Sequence, residues 1–184
     1  MNQILELDAR LSDLMRVAEK PGALRALAVF FAHSGDSWFC AIGLIALWIA
    51  GDPFWKHWSA VQFGSISLLA VLVLVIKFRI RRQRPVGEWG RIYRNTDPHS
   101  FPSGHAARAF LIATIATGLG PPWLAIALWI WAPLVALARV AMGVHYLSDI
   151  VAGALFGILV ALIGLQVYQP LFEWLFQLSG LRLW

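Results

Sequence analysis

The sequence predicts an all-α fold, a polytopic membrane bundle of about five transmembrane helices preceded by N-terminal amphipathic helices. Of the 184 residues, 59% are hydrophobic and only 14% are charged, whereas soluble domains carry roughly a quarter of charged residues. The apolar residues form runs that end at charges or at Pro and Gly. One domain fits this length. We divide it into interfacial helices at 1–36, a helical bundle at 37–168 that holds the candidate site, and a tail at 169–184.

The N-terminal segment is amphipathic. Residues 2–19 place apolar side chains three and four apart, with charges on the opposite face, which predicts a helix on the membrane surface that ends at Pro21-Gly22. Its charges interrupt any signal-peptide core, so no cleavable leader is expected. Residues 23–32 are apolar but contain Arg25 and are too short to span. They predict a second interfacial or half-buried helix, followed by a turn at 33–36.

Five apolar runs follow, at residues 38–50, 59–76, 106–119, 123–138 and 146–168. The first is short for a span, and the second ends at Lys77. Gly51-Asp52-Pro53 and Gly120-Pro121-Pro122 separate neighbouring runs. Gly153 and Gly157, four apart in the last run, predict a close helix contact. Pro170 is expected to end this run, leaving a short amphipathic tail.

Three polar clusters stand where these runs begin or end. They are Lys77 with Arg84-Pro85 seven residues on, then Pro102-Ser103-Gly104-His105, then Arg139 with His145 and Asp149. Charges beside apolar spans are costly, so they indicate function. With five spans, all three clusters lie on one membrane face. The sequence therefore predicts a single shared site.

The residue types in these clusters suit phosphate chemistry. Lys77, Arg84 and Arg139 can clamp a phosphate group. His145 is the candidate nucleophile, and Asp149, four residues on, can orient its ring; alone, such a pair is equally typical of a helix cap. His105 is the candidate proton carrier. Ser103 offers a hydroxyl, and Gly104 allows close approach of the backbone at the start of a helix.

Together the clusters resemble the three-part motif of the type 2 phosphatidic acid phosphatase (PAP2) superfamily, K-x6-RP, PSGH and SR-x5-H-x3-D, over residues 77–149. The resemblance implies a bacterial integral membrane lipid phosphatase. It would hydrolyse the terminal phosphate of a phospholipid phosphate or of an isoprenoid (undecaprenyl) pyrophosphate, through a phosphohistidine. It implies catalytic roles for His145, His105 and Asp149, and phosphate binding by Lys77, Arg84, Ser103, Gly104 and Arg139. Ala138 stands where the family has Ser, so one phosphate hydrogen bond would be missing.

Two other functions remain open from the residues. The same phosphohistidine can pass its phosphate to an acceptor lipid, which gives a lipid phosphotransferase. A non-catalytic lipid-binding or transport protein can also keep the fold. Vanadium haloperoxidases share the motif set, but they are soluble. Metal-ligand spacings such as H-E-x-x-H are absent, and Cys40 is the lone cysteine. We therefore expect metal-independent catalysis without a cofactor.

The basic charge indicates lipid partners. Seven Lys and Arg but one acid, Glu88, lie between Lys77 and Arg94. A basic loop between spans points to a lipid headgroup and the bilayer, with no nucleic acid partner. Some basic and histidine side chains match no motif position. Five arginines are of this kind: Arg79, Arg81, Arg82, Arg91 and Arg94. We expect most of them to be solvated or bound to headgroups and one or two to read a second phosphate. Three histidines, His33, His57 and His99, are expected at the surface or interface, and the role of Arg108 stays open.

The expected location is the bacterial inner membrane, as a multi-pass protein. The two guides to orientation disagree. Arg10, Arg16, Lys20, Arg25 and the basic loop lie on the site side, against mainly Lys56 and Arg182 opposite, which by the positive-inside rule places the site in the cytoplasm. The resemblance implies a periplasmic site. We take the periplasmic face, because arginines placed for substrate bias the count.

Overall fold

The computed structural model describes residues 2–87, 89 and 97–179. The described residues include seven helices: α1 (Asn2–Leu14), α2 (Ala23–Ser34), α3 (Ser37–Ala50), α4 (Pro53–Ile80), α5 (Gly104–Leu119), α6 (Pro122–Ala141) and α7 (Leu147–Ser179). Strand-like pairing within the described ranges is limited to an isolated antiparallel bridge between Gln83 and His99. The predicted all-α fold is confirmed.

Three helices are long and apolar enough to cross a membrane: α4, α6 and the part of α7 from Leu147 to Tyr168. The pair α2 and α3 passes the same test together, as one span bent by 58° at a short break. The described residues therefore hold three spans, or four with the bent pair. All five predicted runs are helical, and five is an approximate count because α5, with 16 residues, is short.

The central helix is α5, which packs against α7, α6 and α4. Small residues make this possible, because Ala107, Ala113 and Ala116 are fully buried on its faces. On α7, a Cβ atom at Gly157 or Gly153 would overlap the carbonyl oxygens of Ala107 and Ser103. Glycine therefore permits the close helix contact that its spacing predicts. This contact brings the N-terminal ends of α5 and α7 together.

The outer surface of the bundle is apolar. On α4, α6 and α7, large side chains such as Val75, Ile126 and Leu159 are more than half exposed. An apolar exterior of this extent suits contact with lipid, since soluble proteins seldom expose large apolar patches. The fold is accordingly that of a multi-pass membrane protein.

Helix α1 is amphipathic as predicted, but it ends at Leu14 instead of residue 19. The chain leaves the helix because the Val17 N–H donates to the Ala141 carbonyl oxygen at 2.8 Å, and Ala18 packs beside Ala32 and Met142. Contact with the end of α6 therefore outweighs the continued helical pattern.

The two faces of α1 meet different surroundings. Its apolar side chains, among them Ile4 and Leu7, point away from the protein and are exposed. Asp8 and Ser12 on the polar face are buried. Because the polar face packs on the bundle, the apolar face is the one left for the membrane surface.

The second predicted helix is half-buried, packed against the bundle on one face and exposed on the other. Helix α2 lies along α6, with Ala28 and Ala32 buried between them. It runs on to Ser34, and the chain breaks at Gly35 and Asp36 before α3 begins. The turn predicted at 33–36 is thus the short break at which α2 and α3 bend by 58°.

Two further helix limits differ from expectation. Helix α4 begins at Pro53, six residues early, because the Asp52 carboxylate accepts the Trp55 N–H at 3.1 Å and proline suits the first helical turn. Helix α7 continues through Pro170 to Ser179. A proline inside a helix removes one hydrogen bond and can be accommodated by a local kink. Most of the predicted tail therefore extends α7, and residues 180–184 lie outside the described part.

Candidate active site

The three polar clusters meet at one cavity of about 220 Å³. One end is basic and carries both candidate catalytic histidines. The other end is an apolar wall of α4. The polar lining comprises Lys77, Arg84, Asp97, Gly104, His105, Arg108, Arg139 and His145, with Ser37 at the edge; the apolar lining comprises Ile66, Leu69, Ala70, Val73 and Leu74. The predicted single site is thus brought together, with a chemical boundary across it.

Arg84 links the first cluster to the third. Its side chain is buried, and Nη1 donates to the Val144 carbonyl oxygen at 2.8 Å. The same nitrogen lies 3.2 Å from Nε2 of His145. Because a guanidinium only donates, this Nε2 faces Arg84 with its lone pair, and the ring proton of the neutral imidazole is on Nδ1.

His145 lies on a tight turn between α6 and α7. Gly143 has a φ of 66°, a left-handed conformation that glycine adopts without strain. It lets the Val144 N–H return to the Arg139 carbonyl oxygen at 3.1 Å. This turn places the buried His145 ring at the end of the cavity. Its Nδ1 is 3.4 Å from Oδ2 of Asp149.

The environment keeps His145 uncharged. Burial lowers the pKa of the His145 imidazole well below its ordinary value of 6.5, and the positive charges of Arg84, Arg139 and Lys77 lower it further. An uncharged imidazole with a lone pair on Nε2 is a competent nucleophile toward an electrophile held by those cations.

Asp149 is fully buried and held from two sides. Its Oδ2 accepts the Tyr146 N–H at 2.9 Å, and its Oδ1 accepts from Arg82 at 2.7 Å. Arg82 also donates to Asp8 at 2.7 Å and lies 4.1 Å from the centre of the Tyr146 ring. Arg82 is therefore not among the solvated or headgroup-bound arginines: it holds the candidate catalytic carboxylate.

Asp8 joins α1 to this network. The Ser148 N–H donates to Asp8 Oδ1 at 3.0 Å, and the Leu147 N–H donates to the Ser12 hydroxyl at 2.9 Å. Burial alone would raise the pKa of Asp8, but hydrogen bonds from Arg82 and Ser148 outweigh it, so the pKa lies below its ordinary value. Two polar residues of α1 thus satisfy the free N–H groups that begin α7.

His105 lies in the first turn of α5 and is mostly buried, with 17% of its side chain exposed. Its Nε2 lies 2.8 Å from Oδ1 of Asp36, at the break between α2 and α3. Asp36 was not among the predicted site residues, because 69 residues separate it from His105 and no spacing rule joins them. His33, expected at the surface, contacts the other Asp36 oxygen at 3.0 Å through Nδ1 and is nearly half exposed.

Ser103 and Gly104 serve different parts of the second cluster. Ser103 is fully buried, and its hydroxyl accepts the Ala106 N–H at 3.5 Å as the cap of α5. Its own N–H donates to the Asp149 carbonyl oxygen at 3.0 Å. Gly104 lines the cavity. The observed contacts of Ser103 therefore connect α5 to α7, whereas Gly104 meets the ligand space.

Lys77 and Arg84 share one carboxylate. Both are buried and both form ion pairs with Oδ2 of Asp97, Arg84 at 2.8 Å. Arg84 Nε also donates to the Asp97 carbonyl oxygen at 2.8 Å. Asp97 is a third exposed, at the edge of the site. No sequence pattern predicts this contact, because Asp97 belongs to the loop that precedes the second cluster.

The remaining candidates fall outside the polar lining or anchor it. Arg139 is buried, and its Nη1 donates to the Ala32 carbonyl oxygen at 3.4 Å. Ala138 packs in an apolar cluster with Ala28, Ala32 and Met142. Arg79 and Arg81 are exposed, as expected. Arg91, Arg94 and Arg182 lie outside the described residues.

A larger cavity of about 410 Å³ reaches His145 from the α1 side and is lined by Arg10, Asp13, Arg16 and Tyr146, among others. The predicted cationic residues Lys77 and Arg139, together with His105, line the smaller cavity and not this one. Within the described ranges, no three His, Cys, Asp or Glu side chains cluster as a metal ion requires.

Comparison with known proteins gives a consistent result. The profile of the PAP2 superfamily matches residues 58–173, well over half of the chain. A decaprenylphosphoryl-5-phosphoribose phosphatase of Mycolicibacterium smegmatis is 36% identical over 156 residues, which cover 74% of this chain and 74% of that protein. A lipid A 1-phosphatase of Porphyromonas gingivalis is 32% identical over 124 residues. That match covers 64% of this chain but only 26% of the relative, so this chain spans about a quarter of its length.

The fold is also similar to solved structures. The crystal structure of Aquifex aeolicus LpxE superposes with a TM-score of 0.69 at 30% sequence identity, over 87% of this chain and 95% of that one. The similarity therefore extends over nearly the whole bundle.

Proposed function

Since this chain belongs to the PAP2 superfamily, we propose that it is an integral membrane phosphatase of lipid phosphates that works through a phosphohistidine on His145. One observation carries the proposal. The uncharged His145 ring lines a cavity that also holds Lys77, Arg84 and Arg139, and its Nε2, which carries the lone pair, lies 3.2 Å from Arg84 Nη1. A nucleophile beside three cations suits a phosphate dianion and little else.

In the first step, Nε2 of His145 attacks the phosphorus atom and the bond from phosphorus to the lipid oxygen breaks. Protonated His105 gives its proton to that oxygen, so the lipid leaves as a neutral alcohol, or as the shortened phosphate of a pyrophosphate. Asp149 accepts the Nδ1–H of His145 and stabilises the positive charge that the ring acquires. The basic side chains position the phosphate and balance its charge.

In the second step, water attacks the phosphohistidine. His105, now neutral, takes a proton from the attacking water while the phosphorus–nitrogen bond breaks. Inorganic phosphate leaves, His145 regains its neutral state, and His105 is again protonated. Both steps use the same two histidines in alternating roles, so the cycle closes without an external proton donor.

We propose that catalysis is metal-independent. Four basic side chains line the polar end of the cavity, and they supply the charge stabilisation that a divalent ion gives to other phosphatases. Buried arginines also match phosphate oxygens in a fixed, bidentate geometry. Activity should therefore persist in excess chelator.

The cavity wall supports a lipid substrate. Ile66, Ala70 and Leu74 continue the cavity from Lys77 along α4, and this helix exposes apolar side chains on its outer surface. A phosphate bound at the basic end can therefore extend its apolar tail along the helix. Both the phospholipid phosphates and the isoprenoid pyrophosphates fit this description. We place the site on the periplasmic face of the inner membrane, as the resemblance implies.

A panel of lipid phosphates, assayed with purified protein in detergent micelles, tests this function. We expect inorganic phosphate to be released from at least one member, with equal rates in EDTA and in magnesium. Vanadate should inhibit, because its trigonal form resembles the transferring phosphoryl group. Failure of every member, or activity that chelator abolishes and magnesium restores, would contradict the proposal.

A lipid phosphotransferase is the second candidate, because an acceptor lipid alcohol can replace water on the phosphohistidine. A substrate labelled with ³²P separates the two. Hydrolysis puts the label in inorganic phosphate, and transfer puts it in a second lipid when an acceptor is added. A protein that binds labelled lipid phosphate but produces neither product would be a non-catalytic lipid-binding protein.

A further inference from the structure

The break between α2 and α3 brings an acidic side chain to His105. We infer that Asp36 is the positioning residue of His105, holding its ring by Nε2 so that Nδ1 exchanges the proton with the substrate. This inference rests on the proposed function and adds a residue to it. No motif cluster contains Asp36, which lies 41 residues before Lys77 in the sequence.

Asp36 lacks the capping hydrogen bond that is usual for an aspartate at the start of a helix. It is the residue immediately before α3, where an aspartate ordinarily accepts a backbone N–H of the first turn. Asp36 makes no such side-chain bond. Its two oxygens face imidazole rings instead, Oδ1 toward His105 at 2.8 Å and Oδ2 toward His33 at 3.0 Å. With both oxygens engaged, the orientation of the carboxylate is fixed.

Arg108 holds the turn that contains Asp36. Arg108 lies one helical turn after His105 and lines the same cavity. Its Nε and Nη2 donate to the Gly35 carbonyl oxygen at 3.0 and 2.6 Å, and its Nη1 donates to the Ser37 hydroxyl at 2.6 Å. A single side chain of α5 therefore holds the residues on both sides of Asp36.

The turn at Gly35 also lies very close to α5 and α6. A Cβ atom at Gly35 would lie 2.7 Å from Cγ1 of Val135 on α6 and 3.5 Å from Cδ2 of His105. A larger residue would push the turn away from α5 and α6, and Asp36 with it. The Trp131 indole N–H also donates to the Ser34 hydroxyl at 2.9 Å. The break between the two helices is thus seated by contacts from both neighbours.

These contacts define what His105 can do. An Nε2–H donated to Asp36 leaves Nδ1 as the nitrogen that meets the substrate. When Nδ1 is also protonated, the ring is a cation that the carboxylate stabilises. It gives the Nδ1 proton to the leaving oxygen, becomes neutral while keeping Nε2–H on Asp36, and recovers a proton at Nδ1 from the attacking water. Asp36 itself gains and loses no proton.

The experiment compares Asp36→Asn on two esters that differ in their need for an acid. Loss of a general acid slows a poor alkoxide leaving group but hardly affects a good phenolate. We expect kcat/KM to fall about thirtyfold on dioleoyl phosphatidic acid, within the range of general acid catalysis. On p-nitrophenyl phosphate it should fall less than about threefold. KM should change little on either.

Asp52→Asn is the matched control. Asp52 also precedes a helix, but its carboxylate caps α4 through the Trp55 N–H. The Asp52→Asn variant should therefore show no difference in kcat/KM loss between the two esters. In a His105→Ala background, Asp36→Asn should add no further loss on phosphatidic acid. Equal losses on both esters, or a full additional loss without His105, would show that Asp36 acts only on folding, and the inference would be overturned.

A measurement without turnover separates this inference from the proposed function. In ¹⁵N-histidine-labelled protein, the bond between His105 and Asp36 should give a downfield imidazole N–H proton signal. That signal should vanish in Asp36→Asn and His105→Ala and persist in Asp52→Asn. If the wild-type protein releases no phosphate, the proposed function fails, and the signal still decides the contact. A spectrum that Asp36→Asn leaves unchanged would refute it.

Discussion

Two histidine–aspartate pairs contribute their rings to the basic end of one cavity, and they are built in different ways. His145 and Asp149 are four residues apart at the beginning of α7. His105 and Asp36 are 69 residues apart and meet through the packing of a helix break on α5. The first pair depends on one helical turn, and the second on contacts among α2, α3, α5 and α6. The same chemistry can thus rest on local or on distant structure.

The supports of the two carboxylates differ as well. Asp149 is fully buried and is held by Arg82, which is itself held by Asp8 of α1. Asp36 is partly exposed and contacts His33 near the surface. The His145–Asp149 pair is therefore closed off from solvent, whereas the His105–Asp36 pair is partly exposed.

The sharpest test of the comparison removes each ring in turn. His145→Ala should lower kcat/KM by roughly four orders of magnitude or more, because removal of a nucleophile leaves only binding and charge stabilisation. His105→Ala should lower kcat/KM much less on p-nitrophenyl phosphate than on a phospholipid phosphate, because a phenolate leaving group needs no acid. Both variants should still bind vesicles that contain lipid phosphate. A His145→Ala protein that keeps a tenth of the wild-type rate would remove His145 from the nucleophile role.

A weaker perturbation addresses the support of the first pair. Arg82→Gln should lower kcat by about tenfold, since it removes a charge-assisted hydrogen bond to Asp149, worth about 1.5–3 kcal/mol. The loss should be equal on alkyl and aryl esters, in contrast to Asp36→Asn. Arg79→Gln is the control, because Arg79 is exposed on the same helix end. An Arg82→Gln enzyme with full activity would show that Asp149 does not need this partner.

The pKa of His145 offers a third test. Burial lowers this pKa below the ordinary value, and nearby positive charges lower it further, so removing one charge in Lys77→Met should raise the pKa. An NMR titration of ¹⁵N-histidine-labelled protein measures the midpoint. Lys56→Met, at the other end of α4, should leave the midpoint unchanged. If the wild-type midpoint lies at or above 6.5, the nucleophile is not kept neutral by its surroundings.

The smallest effect is expected at Ala138. The resemblance implied a missing phosphate hydrogen bond there, but the side chain packs among Ala28, Ala32 and Met142. We expect Ala138→Ser to change kcat/KM by less than about threefold and to lower stability slightly, because a hydroxyl enters an apolar cluster. A gain near a hundredfold would show that the hydroxyl does reach the phosphate.

The sequence was informative wherever a pattern is local. Apolar runs predicted the helices, the spacing of Gly153 and Gly157 predicted their close contact, and the three clusters predicted residues that line one cavity. Asp36, Asp97 and Arg108 could not be assigned roles in the same way, because their partners are fixed by tertiary packing. Helix ends differed for the same reason: Val17 bonds to the end of α6, and α7 continues through Pro170.

Because Asp97 forms ion pairs with Lys77 and Arg84, it competes with a phosphate for these two cations. A phosphate that binds these two cations must displace a carboxylate attached to the same chain. The apparent dissociation constant is then the intrinsic one divided by the fraction of molecules in which the carboxylate has moved away. A phosphate dianion binds the two cations more strongly than a monoanion does, so competition from Asp97 favours the binding of doubly charged phosphates. In the proposed mechanism, the Asp97 carboxylate would rebind Lys77 and Arg84 after hydrolysis and thereby favour the release of inorganic phosphate.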